Sequence, residues 1–285
     1  MPSIQKLAVI GDPIAHSLSP VLQGFLIRHF ALPFTYEALH LRANDLPKMM
    51  QRLRHGEFRG INVTIPHKQA VLSFLDEIDE TAARLGAVNT IAVEANRLIG
   101  HNTDVTGFLR SFKAAGISLL GKIIFVLGAG GAARAVIFAL LKSGAKKIFF
   151  CNRSAERANA LITAFIHDNR LQNVQWPERL AWLQNNSIDV AINATSMGMH
   201  PQLDESPLPP AAFSPYMIAF DLIYNPLETA FLRAAAAAGA KTVNGLGMLI
   251  EQGVAALEIW SQRKFDIRDI HANLENELRQ VLETS

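Results

Sequence analysis

The stretch Ile123-Ile124-Phe125-Val126-Leu127-Gly128-Ala129-Gly130-Gly131-Ala132-Ala133 sets an apolar, strand-like run directly before a glycine-rich turn that opens a helical segment to Ser143. Strand before and helix after are the context in which G-x-G-x-x-G/A reads as a dinucleotide-binding turn. Gly128 allows the tight turn, and Gly130 lets backbone N–H groups approach a pyrophosphate. Ala132 and Ala133 keep the helix close to its sheet, with the positive helix end, opened by Ala129 to Gly131, toward the anion. The competing reading is a turn whose glycines serve close packing only. The next strand ends Cys151-Asn152-Arg153-Ser154, without the carboxylate that would accept from an NAD ribose. A guanidinium and small polar groups there, with Arg157 one helical turn on, suit a 2′-phosphate, so NADP is expected over NAD. Solvated helix-start arginines are the alternative.

Outward from that turn, short apolar runs alternate with segments of helical period, the pattern of an α/β fold. Toward the N-terminus lie Leu7–Gly11 then Pro20–Phe30, Thr35–Leu41 then Asp45–Arg54, and Gly60–Ile65 then Pro66–Leu75, each a strand followed by a helix. Val88–Glu94 and Leu98–Gly100 read as a hairpin turning near Ala95-Asn96, and a helix is expected from Asp104 to Gly116. Beyond the glycine turn, Ile148–Cys151, Val190–Ala194 and Ile218–Leu222 continue the strand series. Leu232–Ala238, closed by Gly239, reads as the last helix of that series, and Pro207–Pro215 as a long surface loop. The helices Met248–Ser261 and Asp269–Leu282 are expected to return to the first domain.

Composition narrows the function. The 285 residues reach the length at which one core usually gives way to two domains, and 49% apolar with 18% charged content excludes a disordered chain. With 27 basic against 25 acidic residues and no charge block, neither nucleic acid nor a membrane is expected as a partner. A single cysteine, Cys151, and a start that runs into a strand without a signal-peptide core point to the cytoplasm. The histidines have no metal-type spacing, so no metal is expected, and no G-x-S-x-G occurs.

Several polar residues stand where apolar ones belong. Lys68 falls on the stripe Lys68, Val71, Leu72, Leu75 of the helix expected after Pro66. An amine there either meets a charge, works as an acid or base, or snorkels to solvent. Asp104 begins a helix and is explained by N-capping about as well as by catalysis. Gln252 sits on the stripe Leu249, Gln252, Ala256, Ile259. Ser17 and Ser19, before a helix, could hold a carboxylate, or Ser19 could simply cap the helix with Pro20 at its first position.

Taken together the chain resembles the shikimate dehydrogenase family. The segments carrying the resemblance are G-D-P-I-A-H-S-L-S-P (11 to 20), I-N-V-T-I-P-H-K (61 to 68), G-A-V-N-T (86 to 90), N-T-D (102 to 104), G-A-G-G-A-A-R (128 to 134), N-R-S-A-E-R (152 to 157), N-A-T-S-M-G-M (193 to 199), D-L-I-Y-N-P-L-E-T (221 to 229) and N-G-L-G-M-L (244 to 249). The resemblance implies NADPH-dependent reduction of 3-dehydroshikimate to shikimate by a monomer or homodimer. It implies a substrate domain from 1–104 completed by 246–285, and a Rossmann-type doubly wound parallel sheet over 105–245. Carried over by position, Lys68 and Asp104 are the catalytic pair. Ser17 and Ser19 hold the substrate carboxylate near Tyr224, and Asn62, Thr64, Asn89 and Gln252 bind or orient its hydroxyls. Gly128, Ala129, Gly130, Gly131 and Ala132 take the pyrophosphate, and Asn152, Arg153, Ser154 and Arg157 the 2′-phosphate. Thr195, Ser196, Met197, Leu222, Gly245 and Met248 line the nicotinamide side.

Four positions depart from the family pattern. His101 and Val105 surround N-T-D where Asp and Gly are usual, His67 replaces an aromatic residue, and Asn244 replaces an Asp. The G-H-N-T-D-V form is closer to the quinate/shikimate branch, which would use NAD or NADP, whereas S-L-S and N-R-S resemble the NADP-dependent, shikimate-selective branch. A non-catalytic ligand-binding protein on this fold is disfavoured by the joint presence of Lys68, Asp104 and the glycine turn. The S-L-S segment argues against a folate-type methylene dehydrogenase.

Overall fold

The structure is a computed structural model and describes residues 4–284. It divides into two compact units, one of residues 4–107 with 250–284, the other of residues 108–249.

The first unit carries β1 (Gln5–Gly11), α1 (Ser19–His29), β2 (Phe34–His40), α2 (Leu46–Arg54), β3 (Gly60–Val63), β4 (Glu77–Ile78), α3 (Glu80–Leu85), β5 (Thr90–Glu94) and β6 (Arg97–His101). Its sheet runs β2-β1-β3-β5-β6-β4. β1 pairs in parallel with β2 and β3, while β3, β5 and β6 are antiparallel neighbours. Leu7 to Ile10 are buried throughout, as a strand covered on both faces must be. The β5–β6 hairpin turns at Ala95 (φ 47°) and Asn96 (φ 62°). Positive φ at both central residues is the type I′ geometry that matches the strand twist.

The segment from Pro66 is not the helix that the spacing predicts. It forms turns and then a short 3-10 helix, Ala70–Phe74. The Lys68 carbonyl, which a helix would direct to a donor four residues on, accepts instead from Val88 N (2.8 Å), and His67 is fixed by its ring Nε2 on Leu41 O (2.6 Å). Tertiary pairing overrides the local period, although Val71 still anchors the core.

α4 (Asp104–Ala114) leads into the second unit, where β7 (Ile123–Leu127), α5 (Gly131–Lys142), β8 (Lys147–Cys151), α6 (Ala155–Ala164), β9 (Leu171–Asn173), α7 (Arg179–Asn185), β10 (Val190–Asn193), β11 (Ile218–Asp221), α8 (Ala230–Ala237) and β12 (Lys241–Val243) follow. The sheet is parallel throughout, in the order β12-β11-β10-β7-β8-β9. This is the Rossmann-type doubly wound order, with its reversal point between β7 and β10. Pro207–Pro215 is not merely a surface loop, because Leu208 and Ala212 are buried in the core beneath β10 and β11.

α9 (Leu246–Ser261) and α10 (His271–Thr284) complete the chain, and among the described residues no helix is long and apolar enough to cross a membrane. The stripe expected on α9 is not its inner face. Leu249, Gln252 and Ile259 are only partly covered, while Ile250, Glu251, Val254, Leu257 and Glu258 are buried with Ala256. Within the first unit Gln23 Nε2 donates to Gly253 O (2.9 Å), and Trp260 Nε1 donates to Ile91 O (3.0 Å). The indole fits because residue 60 is glycine. A Cβ there would lie 2.2 Å from Trp260 Nε1 and 2.5 Å from Ile91 O, and the carbonyl belongs to a paired strand that cannot retreat. Gly60→Ala is therefore expected to destabilise the protein by about 1–3 kcal/mol, the usual range for overpacking, as read from urea unfolding.

Candidate active site

In the first unit the polar residues singled out from sequence converge on one chain of hydrogen bonds. Lys68 Nζ donates to Asp104 Oδ2 at 2.6 Å, and the two side chains are 28% and 13% exposed. Asp104 Oδ1 accepts from Asn89 Nδ2 (2.8 Å), whose Oδ1 accepts from Thr90 Oγ1 (3.0 Å) and Thr103 N (2.8 Å). Thr90 Oγ1 in turn accepts from Asn62 Nδ2 (3.1 Å), and Asn62 Oδ1 accepts from the Tyr36 hydroxyl (2.7 Å). Asp104 does not cap α4. Its backbone N–H donates to Asn102 Oδ1 (3.1 Å), and its carboxylate accepts from Lys68 and Asn89.

The remaining candidates of this unit lie at the start of α1, after β3 and on α9. Thr64 follows β3, and Thr103 Oγ1 lies 3.5 Å from Gln252 Oε1. Ser19 is the first residue of α1, not its cap, and its N–H donates to Ser17 Oγ (3.3 Å). Tyr36, which the sequence reading passed over as a strand residue, hydrogen-bonds both Asn62 and Ser19. Burial raises its hydroxyl well above the ordinary tyrosine range, against the Ser19 bond. Its only sequence signal is a tyrosine inside an otherwise edge-like strand. Among the departures, His101 Nδ1 lies 2.9 Å from Asp79 Oδ2, Val105 is buried, and Asn244 Oδ1 accepts from Leu246 N (3.2 Å) at the start of α9.

The glycine turn of the second unit lies at the reversal point of its sheet. Gly128 has φ +117°, and a Cβ there would meet Ala194 O at 2.8 Å, so neither the conformation nor the space admits a side chain. A Cβ at Gly130 or Gly131 would meet nothing within 4 Å, leaving the backbone at the start of α5 open to approach. Ala129 N donates to Asn152 Oδ1 (3.1 Å), and the Ser154 hydroxyl caps α6 by accepting from Arg157 N (3.3 Å). Arg153 and Arg157 are exposed. Ala133 is buried, whereas Ala132 is exposed, so only Ala133 serves close packing. An open glycine turn at a helix N-terminus, with exposed guanidiniums after the next strand, fits a phosphorylated dinucleotide. Tyr224 lies after β11, and burial raises its hydroxyl.

A second polar cluster ends β10 and β11. Asp221, fully buried, accepts through Oδ1 from Ile223 N (3.0 Å) and Asn193 Nδ2 (3.1 Å), and through Oδ2 from Thr229 Oγ1 (2.6 Å). Asn193 Oδ1 accepts from Thr195 N (3.0 Å) and Thr195 Oγ1 (2.7 Å), and Thr195 Oγ1 accepts from Met197 N (3.1 Å).

The fold and these two sites define a dinucleotide-type oxidoreductase architecture with an amine–carboxylate pair. Profile comparison matches residues 9–91 to the shikimate dehydrogenase substrate binding domain, 111–222 to shikimate / quinate 5-dehydrogenase and 245–275 to the shikimate 5′-dehydrogenase C-terminal domain. The shikimate dehydrogenase (NADP(+)) of Moorella thermoacetica is 42% identical over 260 residues, covering 90% of this chain and 88% of its own. A crystal structure of Thermus thermophilus shikimate 5-dehydrogenase in complex with NADP(H) and shikimate superposes with a TM-score of 0.86 at 39% identity, covering 97% of this chain and 99% of that one. The Listeria monocytogenes enzyme, in complex with shikimate and NAD, gives 0.88 at 31% identity over 98% and 96% of the two chains. The chain belongs to the shikimate dehydrogenase family.

Burial pushes the Asp221 carboxyl up to about 6 from 3.8, despite the opposing bonds from Thr229, Ile223 and Asn193. Because the folded-state value is the higher one, the folded protein holds a proton that the unfolded chain releases between these values. The stabilisation is complete below about pH 4 and is lost as pH rises through about 6, a change of about 3 kcal/mol. Urea unfolding of the native protein and Asp221→Asn is expected to give a stability difference that moves against the native protein by roughly this amount across that window. A pH-independent difference would contradict the assignment.

Proposed function

We propose that the protein reversibly reduces 3-dehydroshikimate to shikimate with NADPH, with substrate bound by the first unit and cofactor by the second. The observation that carries the reading is the 2.6 Å Lys68–Asp104 pair, half-buried at the end of a hydrogen-bond chain that includes Asn89 and Asn62, two of the residues that family resemblance assigns to substrate. The relatives named for NADP and shikimate support both ligand classes.

Reducing a ketone requires a hydride at carbon and a proton at oxygen. When bound, the nicotinamide supplies the hydride. Lys68 directs its ammonium at the carbonyl oxygen, polarises it and gives up the proton, and in the reverse direction takes it back from the hydroxyl. Asp104 aims the amine and balances its charge. Asp104 is the amine's one hydrogen-bond partner among the described residues, so further N–H groups can meet a substrate oxygen. Ser17 and Ser19 offer hydroxyls to the carboxylate, with Tyr224 as a further contact. Asn62, Thr64, Asn89 and Gln252 order the hydroxyl side. Asn89 does so as a positioning residue, its amide hydrogens being directed at Asp104 and Thr103. Gly128 to Ala132 present backbone N–H groups to the pyrophosphate. Asn152, Arg153, Ser154 and Arg157 face the 2′-phosphate, and Thr195, Ser196, Met197, Leu222, Gly245 and Met248 border the nicotinamide.

Initial rates with shikimate or quinate, each paired with NADP+ or NAD+, test the reading. Shikimate with NADP+ is expected to exceed every other pairing at least tenfold. Comparable rates with quinate or NAD+ would instead assign the protein to the quinate/shikimate branch, toward which the His101 and Val105 forms lean. Lys68→Ala is expected to lower kcat by about 10²–10⁴, the usual worth of a positioned general acid, with NADPH affinity changed little. Near-native turnover in that variant would remove Lys68 from the chemistry.

A further inference from the structure

Asp221 is a fully buried carboxylate with no cation among its hydrogen-bond partners, on a strand end that the reaction chemistry does not use. It faces Asn193 across the β10–β11 register, and both carboxylate oxygens lie within 3.2 Å of Asn193 Nδ2. A carboxylate accepts and does not donate, so Asn193 must turn its NH₂ toward Asp221 and its carbonyl oxygen toward Thr195. That oxygen then receives both the Thr195 N–H and the Thr195 hydroxyl, and the hydroxyl oxygen is left to accept from Met197 N. Asn193 Nδ2 also reaches Met197 O at 3.2 Å, closing the 193–197 turn on itself.

The same carboxylate organises a second segment. Oδ1 accepts from Ile223 N, fixing the chain just after Leu222. Leu222 is in turn so close to residue 245 that a Cβ on Gly245 would lie 2.0 Å from Leu222 O. The turn at 194–195 abuts the glycine turn, where a Cβ on Gly128 would meet Ala194 O at 2.8 Å and Thr195 Cγ2 at 3.4 Å. One buried side chain thus fixes Thr195–Met197 and Leu222, and through Leu222 bears on Gly245, all residues the preceding reading gives to the nicotinamide side.

We propose that Asp221 is a positioning residue for the cofactor: by fixing the orientation of the Asn193 amide it holds the 195–197 and 222–223 segments in the form that receives the nicotinamide half of the dinucleotide. This rests on the proposed dehydrogenase reading. In Asp221→Asn an NH₂ enters the site, the Asn193 amide is free to reverse, and Thr195 N–H loses its acceptor, while volume and fold are kept.

The test is steady-state kinetics of Asp221→Asn against the native protein, oxidising shikimate with NADP+. The expected result is a KM for NADP+ raised at least fivefold and kcat/KM for NADP+ lowered at least tenfold, with the KM for shikimate within twofold. A variant that merely folded less would lose kcat with both KM values intact, and that pattern, or an unchanged KM for NADP+, overturns the proposal. Thr229→Val, which removes the donor to Oδ2, is expected to shift the NADP+ constant in the same direction and serves if Asp221→Asn does not fold. Combining Asp221→Asn with Thr195→Val should give at least threefold less loss than the product of the single effects, because both break one chain. Fully multiplicative effects would overturn it. Absence of shikimate oxidation in the native protein would overturn the dehydrogenase reading and this inference with it, whereas an active native protein with an indifferent Asp221→Asn overturns this inference alone.

Discussion

The bond between Asn89 Nδ2 and Asp104 Oδ1 sets the direction of every hydrogen bond that follows it in the first unit. A carboxylate offers only acceptors, so Asn89 must present its NH₂ to Asp104 and its carbonyl oxygen to Thr90 and Thr103. Thr90 then donates to Asn89 and accepts from Asn62, and Asn62 turns its own oxygen to Tyr36. Asp104 is left with one oxygen for Lys68. The aim of the amine therefore depends on Tyr36, Asn62 and Thr90, in β2, β3 and β5, which never touch it.

The second unit repeats the device with different elements. There Asp221 imposes the orientation and Asn193 transmits it. In both units a buried amide cannot be left unpaired without losing about 1–3 kcal/mol, so the network is satisfied as a whole or not at all. The difference lies in the neighbour of the carboxylate. Asp104 meets an ammonium, whereas Asp221 meets only neutral donors, which offset only part of the penalty of burial. An acid held under that penalty constrains geometry more than it stabilises the fold.

Much of this was legible in the sequence where the signal is local. The strand, turn and helix around Gly128, the Ala95-Asn96 hairpin and the Lys68, Asp104 and Asn89 candidates all announce themselves by spacing or by the family's motifs. Local signals misled where a distant partner captured a backbone group. Pro66 to Leu75 has helical period, yet Val88 takes the Lys68 carbonyl. Pro207 to Pro215 has loop composition, yet Leu208 and Ala212 reach the core. On α9 a helical stripe could not identify the inner face, because the helix is covered on nearly all sides and period carries little information there.

The sequence by itself determined the alternation of strands and helices, the glycine turn between β7 and α5, and membership of the shikimate dehydrogenase family. Those follow from covalent geometry, periodicity and motif order, which are properties of neighbouring residues. Only the tertiary structure decided that Asp104 serves Lys68 instead of capping its helix, that Tyr36 belongs to the polar chain, and that Asp221 governs two loops. Each of these turns on a hydrogen-bond partner distant in sequence, Lys68 for Asp104, Asn62 for Tyr36 and Asn193 for Asp221. Desolvation makes that choice, because a polar atom removed from water takes the partner the fold brings within about 3 Å, whichever part of the chain supplies it.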